Sequence, residues 1–75
     1  MKSVQISLEI FSNIRKFTAI TQDYPFEILL KSGRYVADAK SLLGVYALDL
    51  SKPLTVEIFS NDCDELLEKL KEFQV

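Results

Sequence analysis

The amino-acid order predicts an α+β domain in which one antiparallel sheet carries its helices on a single face. Three observations lead there. Apolar and polar residues alternate in three short segments, around Val4–Leu8, Phe26–Leu30 and Leu54–Ile58, as half-buried strands do, and Tyr35–Ala37 returns from a glycine turn as a fourth strand. Helical spacing marks two further segments, and a capping aspartate, Asp38, opens a third whose apolar residues form no single stripe. The resulting order, β-α-β-β-α-β-α, contains one hairpin, so helices must return the chain between the other strands, and a small domain accommodates them by covering one face of the sheet.

Each element has a local reason. Val4, Ile6 and Leu8 alternate with Gln5, Ser7 and Glu9 in the first strand. Ser12 or Asn13 offers an N-cap for a helix over about Asn13–Gln22, whose Ile14, Phe17, Thr18, Thr21 and Tyr24 fall at helical spacing. Pro25 closes that unit, because the residue before a proline disfavours helix. Phe26, Ile28 and Leu30 restart the alternation, Lys31–Arg34 forms a turn with Gly33 available for positive φ, and Tyr35–Ala37 returns as a hairpin. Asp38 is the expected cap of a short helix over Lys40–Leu48. Leu54, Val56 and Ile58 mark the fourth strand. Asp62 and Glu65 have capping-box spacing before a last helix whose apolar face is Leu66, Leu67, Leu70 and Phe73.

Size and composition bound the function. The 75 residues form one domain, 1–75, and 48% apolar residues are enough for a core. A net charge of −2 exerts no general pull on nucleic acid or an anionic membrane, so neither is expected as a partner. Cys63 is the only cysteine and cannot form an intrachain disulfide, which suits a cytoplasmic protein; it reads as a small, partly buried residue at a helix start. No signal peptide is visible, and no run approaches the ~18 apolar residues of a membrane span. There is no metal-ligand cluster, no glycine-rich phosphate loop, and no His/Cys or Ser/His pair. No metal, cofactor or enzymatic activity is expected.

The segment Lys40-Ser41-Leu42-Leu43-Gly44, followed by Leu48, resembles the regulatory-serine region of HPr, the histidine-containing phosphocarrier family of the sugar phosphotransferase system. The order of elements is also that of HPr, an open-faced sandwich of a four-stranded antiparallel sheet and three helices. In that family the phosphate rides on a histidine at the start of the first helix, in a loop reading approximately isoleucine, histidine, alanine, arginine, proline. The matching stretch here is Ile14-Arg15-Lys16-Phe17-Thr18, and the chain contains no histidine. On that correspondence Arg15 stands at the phosphohistidine position and Phe17 at that of the arginine that holds the phosphoryl group. An arginine stays protonated and has no lone pair with which to attack phosphorus.

The resemblance therefore implies a divergent member unable to carry phosphate on histidine and acting in protein interaction or regulation. Ser41 is the candidate regulatory phosphoserine. Leu42, Leu43 and Tyr46 match the apolar residues by which HPr docks its partners, and Phe17 is expected on the same surface. Arg15 and Lys16, at a helix start, are a candidate anion site. The expected partner is a phosphotransferase-system or regulatory protein, and a homo-oligomer is open. The alternative is a phosphocarrier that uses another acceptor.

Overall fold

The computed structural model describes residues 1–75 and contains four strands and three α-helices: β1 (Lys2–Ile6), α1 (Phe11–Gln22), β2 (Ile28–Ser32), β3 (Tyr35–Asp38), α2 (Leu42–Tyr46), β4 (Leu54–Ile58) and α3 (Asp64–Leu70). A 3-10 turn, Lys71–Phe73, follows α3. The strands form one sheet in the order β1-β4-β2-β3, and every neighbouring pair is antiparallel. No helix is long and apolar enough to cross a membrane.

The alternation read from the sequence fixes which side of each strand is buried. Ile6, Ile28, Leu30, Leu54, Val56 and Ile58 belong to the buried core, together with Ile14 and Phe17 of α1, Val45 of α2, Leu66 and Leu70 of α3, and Phe73. Side chains one residue out of step face away from the helices. There Lys31 and Glu57 form a 3.1 Å ion pair across β2 and β4. The open face is therefore mixed, with Leu29 and Val36 beside the charged and polar residues, where the helical face is apolar. Gly33 supplies the positive φ, 59°, that the two-residue β2–β3 turn requires at its first position.

Several boundaries differ from the sequence expectation. α1 begins at Phe11, not near Asn13, and its N-cap is Ile10, which has no side chain able to cap. Ser12 and Asn13 lie inside the helix. α2 runs only from Leu42 to Tyr46, and its cap is Ser41 rather than Asp38. The Asp38 carboxylate instead accepts the Lys40 N–H at 2.9 Å, a turn closed one step before the helix. α3 starts after a buried Cys63 with no side-chain cap, so Asp62 and Glu65 do not form a capping box. Glu65 turns away to accept the Tyr24 hydroxyl at 2.7 Å and the Lys69 ammonium at 3.5 Å. These bonds hold the Glu65 carboxyl below its ordinary range, Tyr24 contributing most. Partial desolvation, with Glu65 beside it, raises the Tyr24 phenol.

The segment between β3 and α2 is tied to the end of α1. The buried Thr21 hydroxyl lies 3.0 Å from the Ala39 carbonyl and 2.9 Å from that of Thr18. Gln22 donates to the Lys40 carbonyl at 2.9 Å, and the Lys40 ammonium donates to the Tyr24 carbonyl just past the helix. Residues 39–41 therefore tie the start of α2 to the tail of α1, and the far end of α2 meets the head of α1 through Tyr46 and Phe11.

Candidate functional site

The Lys40-Ser41-Leu42-Leu43-Gly44 segment has a structural account at each polar position. Lys40 satisfies a carbonyl left over at the end of α1. Ser41 Oγ accepts the Gly44 N–H at 3.1 Å, the N-cap bond that starts α2. Gly44 makes room for that hydroxyl: a Cβ there would stand 3.3 Å from Ser41 Oγ and 3.5 Å from the Ala37 Cβ on β3. The absence of a side chain lets α2 lie close on the sheet while keeping its cap.

The apolar residues of α2 divide. Val45 is buried, Leu42 and Tyr46 are half-buried, and Leu43 is 83% exposed. Tyr46 stacks on Phe11, with ring centroids 5.6 Å apart and planes 29° from parallel. Its hydroxyl is buried and has no hydrogen-bond partner. Ile10 and Phe11, at the head of α1, are both largely exposed. Leu43 and Tyr46 are neighbours three apart on one helix face. Ile10, Phe11, Tyr46, Leu43 and the half-buried Leu42 thus make an apolar surface shared by the two helices.

Phe17 is not part of it. It is fully buried and meets Phe73 edge-on at 6.1 Å, so the expectation that it lines a docking surface is corrected. It falls on the same helix face as Ile14, Thr18 and Thr21, the face turned to the sheet. Arg15 and Lys16 are also displaced from their expected setting. They are the fifth and sixth residues of α1, a full turn past its start, so the helix N-terminus contributes nothing to them. The Lys16 ammonium is engaged by Glu72 at 3.0 Å. The proposed anion site therefore loses both its helix terminus and one of its free cations.

The head of α1 carries apolar Ile10 and Phe11 because the helix starts earlier than its polar residues suggest. The sequence reading missed both residues for that reason. Phe11 precedes Ile14 by three, so extending the helical spacing backwards by one turn would have put it on the helix, but as a core residue, not the exposed one it is.

A shallow hollow of about 260 Å³ opens between the β2–β3 turn and the loop after α2, lined by Ser32, Gly33, Arg34, Tyr35, Asp49 and Lys52. Asp49 is spent within its own loop, accepting the Ser51 N–H at 3.1 Å and the Ser51 hydroxyl at 2.6 Å. Those bonds lower its pKa. No nucleophile with an activating base lies there.

No family model matches the sequence, and no curated protein does. A solved structure does: the crystal structure of a phosphocarrier protein HPr from Bacillus anthracis str. Ames aligns over 99% of this chain and 94% of its own, with a TM-score of 0.73 and 23% sequence identity. The chain has the HPr fold. The shared architecture covers the sheet and all three helices, so the α1–α2 surface is built on the same scaffold as in that phosphocarrier.

Proposed function

We propose that this HPr-fold chain is a docking or regulatory domain related to the phosphotransferase system, one that binds a protein partner through the α1–α2 surface and carries no phosphate on histidine. The observation that carries the reading is the exposed apolar surface of Ile10, Phe11 and Leu43 around the Phe11–Tyr46 stack. Contiguous apolar area on a small domain marks an interaction site. The absence of histidine removes the family's acceptor, and the one hydroxyl at the head of α1, Ser12, makes no hydrogen bond to an activating base. Each leucine-sized side chain buried in a complex is worth about 1.5–3 kcal/mol, so two or three such contacts support micromolar binding after the costs of association.

Ser41 would serve as the switch of this surface. A phosphoryl group there adds about −1.5 to −2 charges next to Leu42 and Leu43, which opposes docking of an apolar partner. A kinase would have to open the Ser41–Gly44 cap to reach Oγ.

Titration of the labelled protein with the general phosphotransferase enzyme tests the reading. Resonances of Phe11, Leu43 and Tyr46 should shift, and Leu43→Glu should abolish the shifts while the fold survives. Incubation with phosphoenolpyruvate and the same enzyme should leave the intact mass unchanged; a stoichiometric, acid-labile phosphoryl group would overturn the non-carrier reading. Incubation with an HPr kinase and ATP, with Ser41→Ala as control, tests the switch.

A further inference from the structure

The two edges of the sheet are finished differently. On β1 the C-terminal residues close the edge: Gln74 bridges Ile6, and the Val75 N–H donates to the Gln5 carbonyl at 3.2 Å. No strand pairs with the outer side of β3. Its four residues, Tyr35–Asp38, include no lysine or proline and no bulge, so its shortness and the single charge of Asp38 are all that guard it against pairing. Tyr35 and Val36 are 68% and 52% exposed.

The ladder to β2 decides which main-chain groups of β3 are free. The Ala39 N–H donates to the Ile28 carbonyl at 3.0 Å. Hydrogen-bonded and non-bonded pairs alternate along an antiparallel ladder. In the observed register, Leu30–Ala37 and Ser32–Tyr35 are therefore bonded pairs, and Lys31–Val36 and Leu29–Asp38 are not. The N–H and C=O of Val36 and the N–H of Asp38 point outward. The Asp38 carbonyl already accepts the Ser41 N–H at 3.0 Å.

We infer that β3 pairs antiparallel with β3 of a second copy of this chain, about a two-fold axis at Val36, joining the two sheets into one. This register sets the two Val36 residues opposite each other, where their outward N–H and C=O groups exchange two hydrogen bonds. It sets Arg34, in the turn just before β3, opposite Asp38 of the other copy at both ends, so the strand is complementary in charge to itself. Neither Arg34 nor Asp38 belongs to any of the four ion pairs within the chain. Tyr35 falls opposite Ala37, whose small side chain leaves it space. A one-residue shift would aim the outward groups of one strand at the inward groups of the other. A two-residue shift one way would set Arg34 against Lys40, and the other way would set Arg34 against Val36 and lose the charge match. The pairing is isologous, so it closes as a dimer and does not propagate. With only three strand residues of each copy paired, Tyr35–Ala37, it belongs to the weak class, below about 1,200 Å² of buried surface.

Sedimentation and amide hydrogen exchange of the intact chain, from micromolar to millimolar concentration, test the inference. The dimer fraction should rise with concentration. The Val36 and Asp38 amides should gain protection with it, while those of Tyr35 and Ala37, already bonded to β2, stay unchanged. Arg34→Glu should weaken association about tenfold or more, and Arg34→Glu with Asp38→Lys on the same chain should restore it. Val36→Lys, at an exposed position that leaves the fold intact, should abolish it by facing two ammonium groups across the axis. A chain that stays monomeric to millimolar concentration overturns the inference. So does association that survives Val36→Lys, or that Leu43→Glu abolishes instead.

Discussion

Substitution at Ser41 separates its role as a helix cap from the switch role proposed for it. Its Oγ accepts the Gly44 N–H at 3.1 Å at the start of a five-residue helix. So short a helix draws little from propagation, and the cap is a large share of what holds its first turn. Replacing an N-cap serine by alanine costs about 0.5–2 kcal/mol, centred near 1. Gly44 is half-buried, so water replaces the lost acceptor incompletely, and roughly 1–2 kcal/mol is expected. In a domain of this size each kcal/mol lowers Tm by about 4–8 °C. Aspartate caps as well as serine, so Ser41→Asp should melt close to the unsubstituted chain. It also places a carboxylate beside Leu42 and Leu43, so it should weaken partner binding while Ser41→Ala does not. Thermal melts followed by circular dichroism, with partner titration of the same variants, give both orders. A Ser41→Ala variant that melts with the unsubstituted chain refutes the cap argument. Equal losses for Ala and Asp refute the claim that the acceptor is what matters.

Phe17→Ala should cost about 3–5 kcal/mol in urea unfolding and leave the domain largely unfolded, whereas Phe11→Ala should cost far less and act on binding, because only Phe17 is buried. Tyr46→Phe removes a buried hydroxyl with no partner while keeping the stack on Phe11, so the urea midpoint should hold or rise, by up to about 1 kcal/mol. Tyr24→Phe should raise the Glu65 pKa toward the ordinary glutamate value, read by NMR titration. The Glu65 carboxyl is depressed in the folded state, so its stabilising contribution is present above the unfolded value of about 4.3 and lost as pH falls through the folded one; the stability difference between the two proteins should shrink in that acid range.

The fold was legible because it rests on two periods. Val4–Ile6, Ile28–Leu30 and Leu54–Ile58 alternate as half-buried strands do, and Ile14, Phe17, Thr18 and Thr21 share one helix face; the structure keeps both patterns. The helix starts were not legible. Ser12, Asn13, Asp38 and Asp62 are good capping residues that the chain does not use, since tertiary contacts set where α1, α2 and α3 begin. A two-residue error at the start of α1 was enough to move the candidate site. It placed Arg15 and Lys16 at a helix terminus they do not occupy and hid Phe11 from the apolar α1–α2 surface.

By itself the sequence determined the fold class, the sheet residues that face the core, and the absence of a histidine to carry phosphate. Those follow from local periodicity and residue chemistry, which need no neighbours. The tertiary structure decided which apolar side chains are core and which are surface. Phe17 and Phe11 are the same residue type on one helix, yet Phe17 packs on Phe73 beneath the sheet-facing side while Phe11 lies past the sheet against Tyr46. Burial depends on what the fold places opposite a side chain, and for Phe11 that is decided by α2, more than thirty residues further along the chain.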